Sequence, residues 1–227
     1  MTYTVEYLHP AQKRAGTHLI LLLHGYGSNE QDLLQIAKLI GSENITWASM
    51  RAPQPVGATI DDTATTAHIP AVSYGYQWFP LNQLLDSSLH SINLACDYVN
   101  QWLDKECADY DGITLLGFSQ GMALATSIAR RYPEKISAII GLSGYIIETE
   151  EWAKTTQQLK QRQIPVFYGY GDQDPIIPTG KEEYTRLWLE ENTNLELHEY
   201  FGMAHSICPQ EIQHVASFIQ KNILALT

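Results

Sequence analysis

The stretch Ile113-Thr114-Leu115-Leu116-Gly117-Phe118-Ser119-Gln120-Gly121-Met122-Ala123-Leu124-Ala125-Thr126-Ser127-Ile128-Ala129 decides how this chain reads. Its opening run, Ile113-Thr114-Leu115-Leu116, is apolar and β-branched at the start, which predicts a strand. The part from Met122 onward is rich in Ala, Leu and Met and predicts a helix. Between them stands Gly117-x-Ser119-x-Gly121, so strand must turn into helix within a few residues with the serine at the bend. A side chain at either glycine would crowd that bend. A sharp strand–turn–helix of this kind is the setting of a nucleophile elbow, in which the serine oxygen is held exposed. The plainer reading is a serine that caps the helix.

Working outward, short apolar runs alternate with helical patterns. The runs are His18–His24, Ile45–Met50, Gly112–Phe118, Ile136–Ser143, Pro165–Gly171 and Leu195–Phe201. Most are apolar on consecutive residues, as strands covered on both faces should be. Leu85, Leu89, Ile92, Cys96, Val99 and Leu103 recur every three or four residues and predict one long amphipathic helix. Another runs from Pro209 through Ile212, Val215, Ile219 and Ile223. Such alternation predicts an α/β layered fold with a mostly parallel sheet. No repeat or Ser/Gly linker interrupts it, so residues 1–227 read as a single domain. The exception is 52–81, which has no clear period and is punctuated by Pro53, Pro55, Gly57, Pro70, Gly75 and Pro80. A run of about 30 residues of that kind is usually a lid or binding loop. Tyr74, Tyr76, Trp78 and Phe79 near its end pack the loop onto the core or form a substrate-facing wall.

Of the 227 residues 44% are hydrophobic, enough for one sizeable core, and 14 Lys+Arg against 25 Asp+Glu give a formal charge of −11. A chain that acidic, without a local basic patch, repels phosphate backbones, which disfavours nucleic acid as a partner. Three widely spaced cysteines (Cys96, Cys107, Cys208) argue against a disulfide framework. His205-x-x-Cys208 lacks a second ligand pair, so no metal is expected. The longest apolar run, Leu19–Leu23, is far too short to span a bilayer, and the N-terminus lacks a signal-peptide pattern. The expectations are a cytoplasmic protein without stable membrane insertion, monomeric or homodimeric, and without a cofactor.

A serine hydroxyl needs a base to become nucleophilic, and the base needs an orienting acid. After an elbow of this type the acid and then the histidine follow in chain order. His198 falls in a predicted strand and His214 in a predicted helix. His205, in Gly202-Met203-Ala204-His205-Ser206, lies in the loop between them and can reach back over the sheet edge. Gly171-Asp172-Gln173-Asp174-Pro175 comes after the preceding apolar run and offers two acids. Asp174 is preferred, because Pro175 and Pro178 rigidify the backbone just beyond it, whereas Asp172 suits bonding to turn amides. His24-Gly25-Tyr26-Gly27, at the end of the first strongly apolar run, is either a simple tight turn or the loop that supplies an oxyanion amide. The N–H groups of Tyr26 and Gln120 are then the candidate donors. Met203, with Trp78 and Phe79, is the candidate apolar substrate wall.

These stretches together make the chain resemble the phospholipase/carboxylesterase family of small α/β-hydrolases, which includes acyl-protein thioesterases and lysophospholipases. The resemblance covers nearly the whole length. It rests on Leu23-His24-Gly25-Tyr26-Gly27-Ser28-Asn29, Arg51-Ala52-Pro53, Trp78-Phe79, Gly117-Phe118-Ser119-Gln120-Gly121-Met122, Gly171-Asp172-Gln173-Asp174-Pro175 and Gly202-Met203-Ala204-His205. It implies a three-layer α/β-hydrolase fold without a large cap domain. It also implies Ser119 as nucleophile, Asp174 as acid, His205 as base, Tyr26 and Gln120 at the oxyanion hole, and Trp78-Phe79 beside an acyl groove. The implied substrate is a small acyl ester or thioester, with lysophospholipid and acylated protein as candidates. Gly27-Ser28-Asn29-Glu30-Gln31-Asp32 looks more like the bacterial carboxylesterase branch, whereas Met203-Ala204-His205-Ser206-Ile207-Cys208 looks close to the thioesterase version. Two other readings stay open: a catalytically silent scaffold that binds a small molecule or partner, and a peptidase.

Overall fold

The computed structural model describes residues 2–8, 15–41, 43–58 and 75–226. Seven strands form the main sheet: β1 (Val5–Tyr7), β2 (His18–Leu23), β3 (Ile45–Met50), β6 (Gly112–Phe118), β7 (Ala138–Leu142), β8 (Pro165–Gly171) and β9 (Asn194–Tyr200). Their order is β1-β3-β2-β6-β7-β8-β9. Every pairing is parallel except that of the edge strand β1 on β3.

The consecutive apolar residues of β2 have a simple cause. Leu19, Leu21 and Leu23 face one core and Ile20 and Leu22 the other, all at 0% exposure. The first core is closed by α2 (Leu89–Glu106), α3 (Gln120–Arg131), α4 (Ala153–Arg162) and α5 (Thr179–Asn192). The second is closed by α1 (Leu34–Ile40) and α6 (Pro209–Asn222). Helices on both faces of a mostly parallel sheet make three layers, and among the described residues no large cap domain is inserted.

Two local features depart from the simple pattern. The expected long helix begins later than Leu85: Ser88 is its N-cap, its hydroxyl accepting from Ser91 N–H at 3.1 Å. Leu85 lies before it with φ +60°, a left-handed conformation no helix interior adopts. The ends of the unperiodic segment pair with each other, β4 (Gln54–Pro55) running antiparallel to β5 (Tyr76–Gln77). Residues 59–74, Tyr74 among them, lie outside the described residues.

Candidate active site

β6 runs straight into α3, and Ser119 is the hinge, with φ +53° and ψ −117°. That region costs a non-glycine residue on the order of 1–3 kcal/mol and persists only where the surroundings hold it. Here Ser119 N–H donates to Leu142 C=O at 2.9 Å, and Ser119 C=O accepts from Met122 N–H at 3.0 Å. The flanking glycines are sterically required. A Cβ on Gly117 would lie 2.3 Å from the Gly121 carbonyl carbon, and one on Gly121 would lie 1.9 Å from Leu23 O.

The loops after β8 and β9 meet beside this bend. His205 Nδ1 lies 2.7 Å from Asp174 Oδ2. The other carboxylate oxygen, Oδ1, accepts from the N–H groups of Ile176 (2.7 Å) and Ile177 (3.2 Å). Both oxygens are engaged and the Asp174 side chain is only 2% exposed, so its orientation is fixed. A carboxylate at Nδ1 makes that nitrogen the N–H and leaves Nε2 as the acceptor. The imidazole packs on Phe118, ring centroids 5.0 Å apart, and the next residue, Ser206, accepts at its carbonyl from Ser143 Oγ at 3.1 Å. Asp172 does a different job, accepting from Gly202 N–H at 2.5 Å, where the chain turns with φ +75°. His198 and His214 are elsewhere, their rings tilted against each other with centroids 4.4 Å apart, and Tyr200 hydroxyl lies 3.0 Å from His214 Nδ1.

The loop after β2 is braced from three sides. His24 is fully buried; its Nε2 accepts from Ala52 N–H at 3.1 Å, which makes Nδ1 the donor to Gly25 C=O at 2.8 Å. Burial pushes its pKa down, keeping it neutral. Buried Glu30 is gripped by Arg51 through Nε to Oε2 at 2.6 Å and Nη2 to Oε1, and that guanidinium holds the carboxyl below its usual range. The same guanidinium lies 4.7 Å from the Tyr76 ring centroid. Tyr76 in turn pairs with this loop, Gly27 N–H donating to Tyr76 C=O and Tyr76 N–H to Ser28 C=O, each at 2.9 Å. Neither Tyr26 nor Gln120 has a backbone N–H bonded to another described residue, so both remain available as donors.

The side chain of Gln120 is buried and clamps the neighbouring segment. Its Oε1 accepts from Trp78 N–H at 3.0 Å and its Nε2 donates to Phe79 C=O at 2.7 Å. Trp78 Nε1 donates to His24 C=O at 2.9 Å. Trp78 and Phe79 are both at 0% exposure, part of the first core. A cavity of about 400 Å³ opens over Ser119 and His205. Its other lining residues among those described are Tyr26, Leu81, Asn82, Gln83, Leu85, Tyr145 and Ile176. Trp78, Phe79 and Met203 are not among them. The spacing of Trp78 and Phe79 could not show this, because their burial is set by Gln120 and His24, distant in sequence. Leu85, which the helical period assigns to α2, is wall instead.

Among the described residues no three His, Cys, Asp or Glu side chains group as metal ligands. No described helix is long and apolar enough to cross a membrane. Chemically, the site can join a strained serine, an imidazole oriented by a carboxylate, and two unengaged amides around one partly apolar cavity.

Known proteins resemble the chain at three levels. The acyl-protein thioesterase 1 of Saccharomyces cerevisiae is 33% identical over 158 residues, 65% of this chain and 66% of that protein, just under two thirds of its length. The Kluyveromyces lactis protein of the same name is 28% identical across 90% of this chain and 91% of its own. In three dimensions the chain follows the crystal structure of esterase PE8 with a TM-score of 0.76 at 23% identity, covering 98% of this chain and 100% of that one. It follows the Bacillus cereus carboxylesterase at 0.73 and 19% identity, over 97% and 95% of the two chains. At these identities the structures speak for the fold. The family profile for phospholipase/carboxylesterase matches residues 9–223. The chain therefore belongs to the phospholipase/carboxylesterase family of hydrolases.

Proposed function

We propose that the chain is a serine hydrolase that cleaves carboxylic ester or thioester bonds of short-to-medium acyl substrates through an acyl-enzyme. Ser119 Oγ attacks the carbonyl while His205 Nε2 takes its proton. Asp174 holds the imidazole in the needed tautomer and stabilises its charged form. The amides of Tyr26 and Gln120 receive the oxyanion. His205 returns the proton to the leaving alcohol or thiol, and a water molecule then repeats the sequence to release the acid. The observation that carries this reading is the Asp174–His205 pair opening on the same cavity as a serine held at φ +53°.

The acyl chain lies against Leu81, Leu85 and Ile176. Trp78 and Phe79 act from beneath, by keeping Gln120 in place, and Met203 backs the His205 loop. A thioester substrate is favoured by the likeness to two acyl-protein thioesterases. The test is a panel of p-nitrophenyl esters of rising chain length, with acyl-thioesters and lysophospholipid, on wild type and Ser119→Ala. Hydrolysis in wild type that vanishes in the variant supports the proposal. Equal hydrolysis by both refutes it.

A further inference from the structure

Glu211 is the third residue of α6, the helix that succeeds the His205 loop. It is fully buried, and neither carboxyl oxygen has a hydrogen-bond partner among the described residues. Such a group is rare, because a bare carboxylate in a dry interior is strongly disfavoured. Its seat is shaped for it. A Cβ on Gly169 of β8 would lie 2.1 Å from Glu211 Oε1, so only glycine leaves room. Gly169 is also a node of the candidate site. Its carbonyl accepts from Ser143 N–H at 2.8 Å, and Ser143 Oγ bonds the carbonyl of Ser206, next to His205.

Among the described residues no cation faces this carboxyl. On α6 the ionisable neighbours are the cap residue Cys208 and, one turn on, His214, which bonds the hydroxyl of Tyr200 from β9. The remaining ionisable groups of β9 are Glu196, His198 and Glu199, with Glu196 beside His198 at 3.2 Å. β8 presents Gly169 and Phe167. α1, which packs on α6, carries only the exposed Lys38.

We propose that Glu211 is a positioning residue for His205: its carboxyl, wedged between the start of α6 and Gly169, sets the height at which the 201–208 loop presents the imidazole, and it does so as the uncharged acid. Burial pushes this carboxyl up to about 8. Above that pH a charge forms in the seat, the start of α6 shifts to reach water, and the loop goes with it. The proposal rests on His205 being the base.

The test is kcat and KM for a short soluble ester from pH 6 to 10, with fluorophosphonate labelling of Ser119, for wild type and four variants. Wild type should lose kcat above about pH 8 at nearly constant KM. Glu211→Gln, a neutral isostere, should keep kcat within about threefold at pH 7 and stay level to pH 10. Glu211→Ala should lose on the order of tenfold or more in kcat with little change in KM. Gly169→Ala should do the same, and Gly169→Ala with Glu211→Asp should recover most of the loss. An alkaline fall that persists in Glu211→Gln, or wild-type kcat in Glu211→Ala, overturns the proposal. If Glu211→Ala does not fold, the glutamine profile and the Gly169 pair decide. A wild type unlabelled at Ser119 overturns the serine reading itself; a labelled one whose glutamine variant keeps the alkaline fall overturns only the role given to Glu211.

Discussion

Asp174 and His205 meet across two loops, Oδ2 to Nδ1 at 2.7 Å, while Asp172 turns away to the Gly202 amide. The two carboxylates therefore separate by experiment. Asp174→Asn should lower turnover by about 10⁴ through a mis-set imidazole tautomer. Asp172→Asn should keep most of its turnover and lose about 1 kcal/mol of stability, the worth of a turn hydrogen bond. Steady-state kinetics beside urea midpoints check both, and exchanged phenotypes would reverse the assignment. Chelators should leave activity unchanged in wild type.

Gln120 has two separable functions, one by its backbone amide and one by its side chain. Gln120→Ala keeps the amide but strands Trp78 N–H and Phe79 C=O in the core. A buried unpaired group costs about 1–3 kcal/mol, so the variant should lose roughly 2–4 kcal/mol of stability by the same rule. Gln120→Glu should be worse than an isosteric change suggests, since Phe79 C=O then faces an acceptor. Thermal or urea unfolding of the three proteins tests this.

The cavity wall predicts how acyl length matters. Each methylene buried against Leu81, Leu85 or Ile176 is worth up to about 0.8 kcal/mol, roughly fourfold in kcat/KM if the transition state keeps it. Catalytic efficiency should rise from acetyl to hexanoyl or octanoyl esters and then level off. Ile176→Ser, at a half-exposed wall position, should flatten the rise and spare the acetyl ester. Trp78→Ala should instead weaken all chain lengths, because it opens the core beneath the site. A wild type that prefers acetyl would mean a closed groove.

Acid should weaken the fold through its buried histidines. Burial lowers the pKa of His18 to about 4, outweighing the pull of Asp111, and its Nε2 is paired with Thr114 Oγ1 at 2.8 Å. In the unfolded chain this histidine takes its proton near pH 6.5. Its contribution is therefore full above pH 6.5 and is lost as pH falls toward 4. The loss is about 3 kcal/mol at most. His24 acts in the same direction. Urea midpoints at pH 7 and pH 4.5 should differ less in His18→Gln than in wild type.

The strands were legible because consecutive apolar residues such as Leu19–Leu23 can only be covered on both faces. The elbow was legible because two glycines and a serine stood between a strand signal and a helix signal. Asp174 and His205 could be proposed because each stands in a loop after a strand. What escaped depends on partners far along the chain. Arg130, near the end of α3, carries a charge that by itself gives no sign of burial. Yet it is 2% exposed, donating to Ile147 C=O at 2.5 Å and Thr149 C=O at 2.9 Å, with Trp152 and Trp188 each 5.0 Å away. Glu30 and Arg51, Gln120 and Trp78, and Leu85 on the cavity wall are likewise products of tertiary approach. No local period encodes them.

That Ser119 forms the acyl-enzyme is the central claim, and active-site labelling tests it most directly. Wild type and Ser119→Ala, matched in unfolding midpoint, are treated with a fluorophosphonate and the adducts mapped by peptide mass spectrometry. One adduct is expected, on Ser119, with labelling and ester hydrolysis both lost in Ser119→Ala by a factor on the order of 10⁴ or more. An adduct that persists in the alanine variant, or maps to another residue, would contradict it.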